Sequence, residues 1–186
     1  MKTTLFLLII LLPMGIFAQN GLAVGDKVPA FEAVADDGST WKLNNNLGDK
    51  YLVVYFYPGA MTGGCTAQAC AYRDLSSDLE SQNAKVVGVS GDKPENLEFF
   101  KKAHNLNFTL LSDESGEIAR KFGVPTRDGG VAKGEFGGRN YEFERDVTTS
   151  RWTYIIDKDG KVVYKNEQVD ASKDSKEVLS FLKNKS

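Results

Sequence analysis

Both cysteines of this 186-residue chain, Cys65 and Cys70, stand five positions apart. A thiolate is a nucleophile, a metal ligand and one half of a disulfide, so its surroundings decide its chemistry. Just upstream, Val53, Val54, Tyr55, Phe56 and Tyr57 form a β-branched and aromatic run that predicts a buried strand. Pro58, Gly59, Gly63 and Gly64 interrupt that run, and good helix formers predominate over 66–79. Cys65 is therefore expected in the first turn of a helix, where free backbone N–H groups and the helix dipole favour a thiolate. If Cys70 shares that helix, the rise and radius of the helix set the two Cα atoms about 8.7 Å apart. A disulfide tolerates only about 7 Å. The pair can then bridge only after the helix unwinds locally, which suits a redox switch and not a stabilising staple.

The rest of the chain predicts the elements that hold this stretch. Residues 31–35 and 40–43 flank the turn Asp36, Asp37, Gly38, Ser39 and predict an N-terminal hairpin. Residues 85–90 predict a second buried strand, and a helix follows from residue 92 with Pro94 in its first turn. A short strand over 108–111 precedes a helix over 116–122 that Gly123 closes. Residues 151–157 and 161–165 predict a hairpin across Lys158, Asp159 and Gly160. Residues 172–183 complete the chain as an amphipathic helix with Val178, Leu179 and Leu182 inward. This alternation predicts an α/β fold in three layers. Its order resembles the thioredoxin-like fold, with the first hairpin as an N-terminal extension. Residues 125–149 stand apart: rich in glycine and mixed in charge, they read as a long loop or a short extra hairpin through Tyr141, Glu142, Phe143 and Glu144.

Residues 1–18 read as a signal peptide, with Lys2, an apolar run over 5–12 and small Ala18 at the cleavage site. Pro13 and Gly15 interrupt the run, which is shorter than the ~20 residues a membrane span needs. Cleavage leaves 19–186 as one domain, exported to a periplasmic or extracellular space, with no stable membrane insertion. An uncleaved N-terminal anchor is the alternative. A net charge of −2 and a pI near 5.5, with no basic stripe, give no reason to expect nucleic acid as a partner.

The spacing of Pro58, Thr62 and Cys65 resembles the active-site motif of the peroxiredoxins. Cys70 makes the match specific: it resembles the second cysteine of their Q-type subgroup, the bacterioferritin comigratory proteins. The likeness continues through Tyr72, Arg73 and Asp74, and through Arg151 ahead of Ile155, Ile156 and Asp157. It runs from Gly25 to the C-terminal helix. The resemblance implies a thiol-dependent peroxidase for hydrogen peroxide and organic hydroperoxides, with no cofactor and no metal. Cys65 would be the peroxidatic nucleophile that becomes a sulfenic acid. Thr62 would offer its hydroxyl to the thiolate and the peroxide, and Pro58 would wall the pocket from water. Arg151 would stabilise the thiolate and the charge growing on the leaving oxygen. Cys70 would resolve the sulfenic acid as an intramolecular disulfide, which a thioredoxin-like dithiol would reduce. The subgroup implies a monomer.

Plainer roles stand beside these. Thr62 suits a helix cap, Arg151 a strand-end cation, and Arg73 a structural pair with Asp74 or a nearby loop. His104, the single histidine, falls on a polar helix face and reads as solvated, while Trp41 and Trp152 read as packing. Two features depart from the Q-type pattern: Gly63 stands where the family usually carries proline, and the 127–149 segment is longer than the subgroup's. The rival function is an exported thioredoxin-fold protein that binds copper or exchanges disulfides. Copper handling favours C-x3-C with a distant histidine, and disulfide exchange favours C-x-x-C. Neither spacing occurs here.

Overall fold

The computed structural model describes residues 21–185, so the segment read as a signal peptide lies outside the described residues. A seven-stranded sheet forms the centre. Its strands are β1 (Glu32–Ala35), β2 (Thr40–Lys42), β3 (Tyr51–Phe56), β4 (Ala84–Ser90), β5 (Thr109–Ser112), β8 (Trp152–Ile156) and β9 (Val162–Asn166). A separate two-stranded sheet pairs β6 (Thr126–Phe136) with β7 (Arg139–Thr149). The helices are α1 (Gly63–Asp74), α2 (Ser76–Ser81), α3 (Pro94–His104), α4 (Glu117–Phe122) and α5 (Asp174–Lys183).

The order β2-β1-β5-β4-β3-β8-β9 puts β3 in the interior of the sheet, parallel to β4 and antiparallel to β8. Its alternation explains the continuous apolar run. Leu52, Val54 and Phe56 face a core with Ile118 and Phe122 of α4, whereas Val53 and Tyr55 face one with Ala69, Leu97, Phe100 and Val178 of α1, α3 and α5. Helices thus cover both faces, which makes three layers. The predicted N-terminal hairpin is present and extends the sheet beside β5.

Three local expectations are corrected. The helix predicted over 66–79 is two helices that meet at Leu75. At the junction the Asn107 side chain donates to the Arg73 carbonyl and, at 2.8 Å, to Ser76 Oγ, so a side chain takes the place of a ladder bond. The last helix begins at Asp174 and not at residue 172, because Asp170 draws Ser172 into a turn through its carboxylate, 2.9 Å from the Ser172 N–H. Of the two readings of residues 125–149, the loop is excluded and the extra hairpin through residues 141–144 is present, longer than expected. It has 11-residue strands and is turned by Gly137 and Gly138 at positive φ.

Candidate active site

The site forms where β3 ends and α1 begins. Pro58 is half-buried directly after Tyr57, Gly59 and Ala60 are buried, and Met61 sits at φ 61°, a left-handed conformation that β-carbon-bearing residues seldom adopt. Thr62 then occupies the cap position of α1 with extended φ and ψ, and its carbonyl accepts the Thr66 N–H at 2.8 Å. Its side chain does not cap the helix. The hydroxyl instead donates to the Gly59 carbonyl at 2.9 Å and closes the loop on itself. Cys65 is the third residue of α1 and only 1% exposed. Cys70 lies farther along the same helix, half-buried, and both are free thiols.

Arg151 reaches Cys65 because of sheet register. β3 and β8 pair Phe56 with Trp152, which sets the preceding Arg151 beside the end of β3, where the chain turns into α1. Its Nη2 donates to Cys65 Sγ at 3.3 Å. The guanidinium also passes over Gly64, where an added Cβ would meet Nη2 at 3.4 Å. The other arm, Nη1, donates to the side-chain carbonyl of Gln68. One guanidinium therefore touches two residues three apart on the same helix face.

Gln68 opens a chain of buried polar groups that sequence reasoning missed. Its Nε2 donates to Asp174 Oδ2 at 2.7 Å, and the same oxygen accepts from Tyr72 Oη at 2.7 Å and Thr153 Oγ1 at 2.9 Å. A cation on one side and a carboxylate on the other dictate the orientation of the amide. Burial raises the Asp174 carboxyl above the usual carboxylate range, and the three hydrogen bonds offset that rise only in part. Tyr55, stacked between Tyr57 and Tyr72, is fully buried, and its phenol is pushed well up, first by burial and then by the neighbouring Cys65. Gln68 carried a signal, since position i+3 from Cys65 shares its helix face. Asp174 carried none, being distant in sequence and adjacent only through the α1–α5 contact.

The long hairpin grips the other side of the same loop. Arg145 of β7 is an ion pair with Asp92, Nε to Oδ1 2.9 Å, at side-chain exposures of 7% and 0%. Asp92 Oδ2 in turn accepts the Ala60 N–H at 2.7 Å and the Ser90 hydroxyl at 2.8 Å. The Arg145 guanidinium lies over Gly59 so closely that an added Cβ would overlap it. That approach, and not a positive φ, is what favours glycine there. Thr149 Oγ1 donates to the Tyr57 carbonyl at 2.9 Å, and Tyr141 Oη to that of Met61 at 3.4 Å.

Arg73 makes the pair expected of it, with Asp74 at 2.8 Å, and donates to the His104 carbonyl at 2.6 Å. His104 is not the solvated residue expected. Its ring packs between Phe100 and Phe136, its Nε2 is buried without a partner, and burial together with Arg73 holds its pKa down. The hairpin brings Phe136 over it, which no local pattern announced. Trp41 stacks on Phe31 in the core, and Trp152 lies under Lys165. Among the described residues no cluster of three or more His, Cys, Asp or Glu is placed to hold a metal.

The AhpC/TSA family model matches residues 24–165, most of the chain. The chain belongs to the AhpC/TSA family. Within this family it is similar to Peroxiredoxin Bcp of Escherichia coli, 38% identical over 165 residues, which cover 89% of this chain and 98% of that protein. It is also similar to the chloroplastic Peroxiredoxin Q of Populus jackii, 39% identical over 85% of this chain and 67% of that one. Among solved structures, Peroxidoxin BcpB of Mycobacterium tuberculosis superposes with a TM-score of 0.73 at 30% identity, covering 88% of this chain and 97% of that chain. Peroxiredoxin Q of Xanthomonas campestris gives 0.68 at 25% identity, covering 83% and 90%. The fold is the thioredoxin-like one of the peroxiredoxins, and the chain is a thiol peroxidase, an oxidoreductase of the Q-type group. These relatives give no support to a copper-binding function.

Proposed function

We propose that Cys65 is the peroxidatic cysteine and that Cys70 resolves it within the same chain. The Cys65 thiolate attacks one oxygen of a hydroperoxide, ROOH. The O–O bond breaks, sulfur is oxidised to the sulfenic acid, and the leaving oxygen departs as ROH after taking a proton. The Cys70 thiolate then attacks that sulfur, forming the disulfide and releasing water. A thioredoxin-like dithiol reduces the disulfide by exchange. The observation that carries this reading is the Arg151 donor 3.3 Å from the sulfur of a buried cysteine in the first turn of a helix. Such a donor stabilises the thiolate before the attack and the oxygen charge during it, in a site from which water is largely excluded. Pro58 and Thr62 shape the loop over the sulfur, and the Thr62 hydroxyl can turn from Gly59 to an incoming peroxide.

The test is stopped-flow tryptophan fluorescence of the reduced protein mixed with hydrogen peroxide. Oxidation orders of magnitude faster than free cysteine, absent in Cys65→Ser, is expected. Cys70→Ser should keep that first step and stop turnover with a dithiol donor. Activity retained in Cys65→Ser, or normal turnover in Cys70→Ser, would overturn the assignment of that residue. The reading includes a monomer exported on the 1–18 segment, whose electron donor meets it outside the cytosol. The mature mass of the protein in fractionated cells tests the export: a chain that begins at Gln19 agrees with it, and an intact cytosolic chain does not.

A further inference from the structure

Asp174 sits at the first position of α5, fully buried, where the helix dipole favours its charge. Its Oδ2 takes three hydrogen bonds, two of them from α1 and one from β8. The α1 donors, Gln68 and Tyr72, are four apart and so share a face. The β8 donor, Thr153, is two residues beyond Arg151, so its side chain leaves the strand on the same side. One carboxylate oxygen therefore ties together the helix that carries both cysteines and the strand end that carries their arginine. Gln68 holds Arg151 with its carbonyl and Asp174 with its amide, which continues the connection to Cys65.

The two thiol steps ask opposite things of this junction. Attack on peroxide needs Arg151 fixed on Cys65 and α1 intact. Resolution needs Cys70 brought to Cys65, and on an intact helix their Cα atoms stand about 8.7 Å apart, beyond bridging range. Residues between the cysteines must leave the helix, and Gln68 is one of them. When it moves it must release Asp174.

We propose that Asp174 is a positioning residue with opposed effects on the two steps. Through Gln68 it holds Arg151 on Cys65 and speeds the attack. Through Gln68 and Tyr72 it ties α1 to α5 and slows the unwinding that lets Cys70 attack the sulfenic acid. The proposal rests on the roles given above to Cys65, Cys70 and Arg151. It makes the first turns of α1 a latch that is closed for peroxide and opened at the expense of buried hydrogen bonds to a carboxylate. The latch also sets how long the sulfenic acid survives, and therefore how exposed Cys65 is to a second peroxide.

The experiment measures the two rates separately in wild type, Asp174→Ala, Asp174→Asn and Tyr72→Phe. Sulfenic acid formation is followed by stopped flow over a range of peroxide concentrations, and disulfide formation by the second fluorescence phase and quenched mass spectrometry. A hydrogen bond to a charged group corresponds to roughly a tenfold change in rate. Asp174→Ala is expected to slow the first step about tenfold and to speed the second by a similar factor. Asp174→Asn should move both rates the same ways by less, and it keeps the shape of the side chain should the alanine variant fold poorly. Tyr72→Phe, which leaves the Gln68 arm in place, should raise the resolution rate with a smaller loss in the first step. A variant with both rates reduced, or with neither changed, overturns the latch while the peroxidase reading stands. Wild-type protein that forms no Cys65–Cys70 disulfide overturns the resolving role of Cys70, and the latch with it.

Discussion

Replacing Gly59 by alanine should damage this protein through a residue 86 positions away, Arg145. Gly59 has no unusual φ, so alanine suits its backbone, and in open space the change would be close to neutral. The space is not open, because the new Cβ would overlap the Arg145 guanidinium. That group must move, and because it is enclosed the expected outcome is that it swings away and gives up its ion pair with Asp92 at 2.9 Å. Removing one partner of a buried pair costs about 3–5 kcal/mol. Asp92 keeps its hydrogen bonds from Ala60 and Ser90, so the lower figure, about 3 kcal/mol, applies. Arg145→Ala breaks the same pair and should cost the same. The double variant has no guanidinium to displace, so it should also cost about 3 kcal/mol instead of the sum of about 6, a coupling near 3. With a slope of about 2 kcal/mol per molar urea, each of the three variants should unfold about 1.5 M earlier than wild type. Urea unfolding of the reduced proteins by circular dichroism and fluorescence measures this. Additivity within about 0.5 kcal/mol would show that the two sites do not share a contact, and the account of the clamp would fail.

Gly63→Pro should stabilise the protein by about 0.4–1 kcal/mol, since residue 63 is the first position of α1 and proline suits that position. Thr62 before it already has φ −91° and ψ 146°, the conformation a following proline demands, and an added Cβ at residue 63 meets nothing. A lower urea midpoint would contradict this. Stability should also depend on pH through Asp174, whose carboxyl burial raises. The folded state then binds a proton more tightly than the unfolded one, so this contribution is fully present below the unfolded value near 3.9 and is lost as pH rises through the folded value. Asp174→Asn removes that dependence, so wild type should gain on the variant as pH falls from about 7 to about 4. Paired melting curves that keep a constant gap over this range would refute the assignment.

The sequence by itself determined the chemistry and its scaffold. Pro58, Thr62, Cys65 and Cys70 lie within 13 residues, close enough for local pattern to place them on one strand-to-helix turn. The buried strand was legible because β3 is covered on both faces, so every side chain in it is apolar or aromatic. Arg151 was legible only through family resemblance; its contact with Cys65 comes from the β3–β8 register, a pairing across almost a hundred residues. The break at Leu75 was hidden because Asn107, which bonds to both helices there, comes from another part of the chain. The length of the hairpin from Thr126 to Thr149 was not legible, and a loop stayed open as its alternative, because most of its side chains face solvent and glycines interrupt its alternation. Its Arg145 resembles any surface cation until Asp92 and Gly59 enclose it. Asp174 is the extreme case. Local pattern reads it as one more acidic residue near a helix start, and only the packing of α5 against α1 and β8 makes it a buried acceptor for three donors. Local spacing specifies which atoms can react; the desolvation and long-range pairing that orient them exist only once the chain is folded.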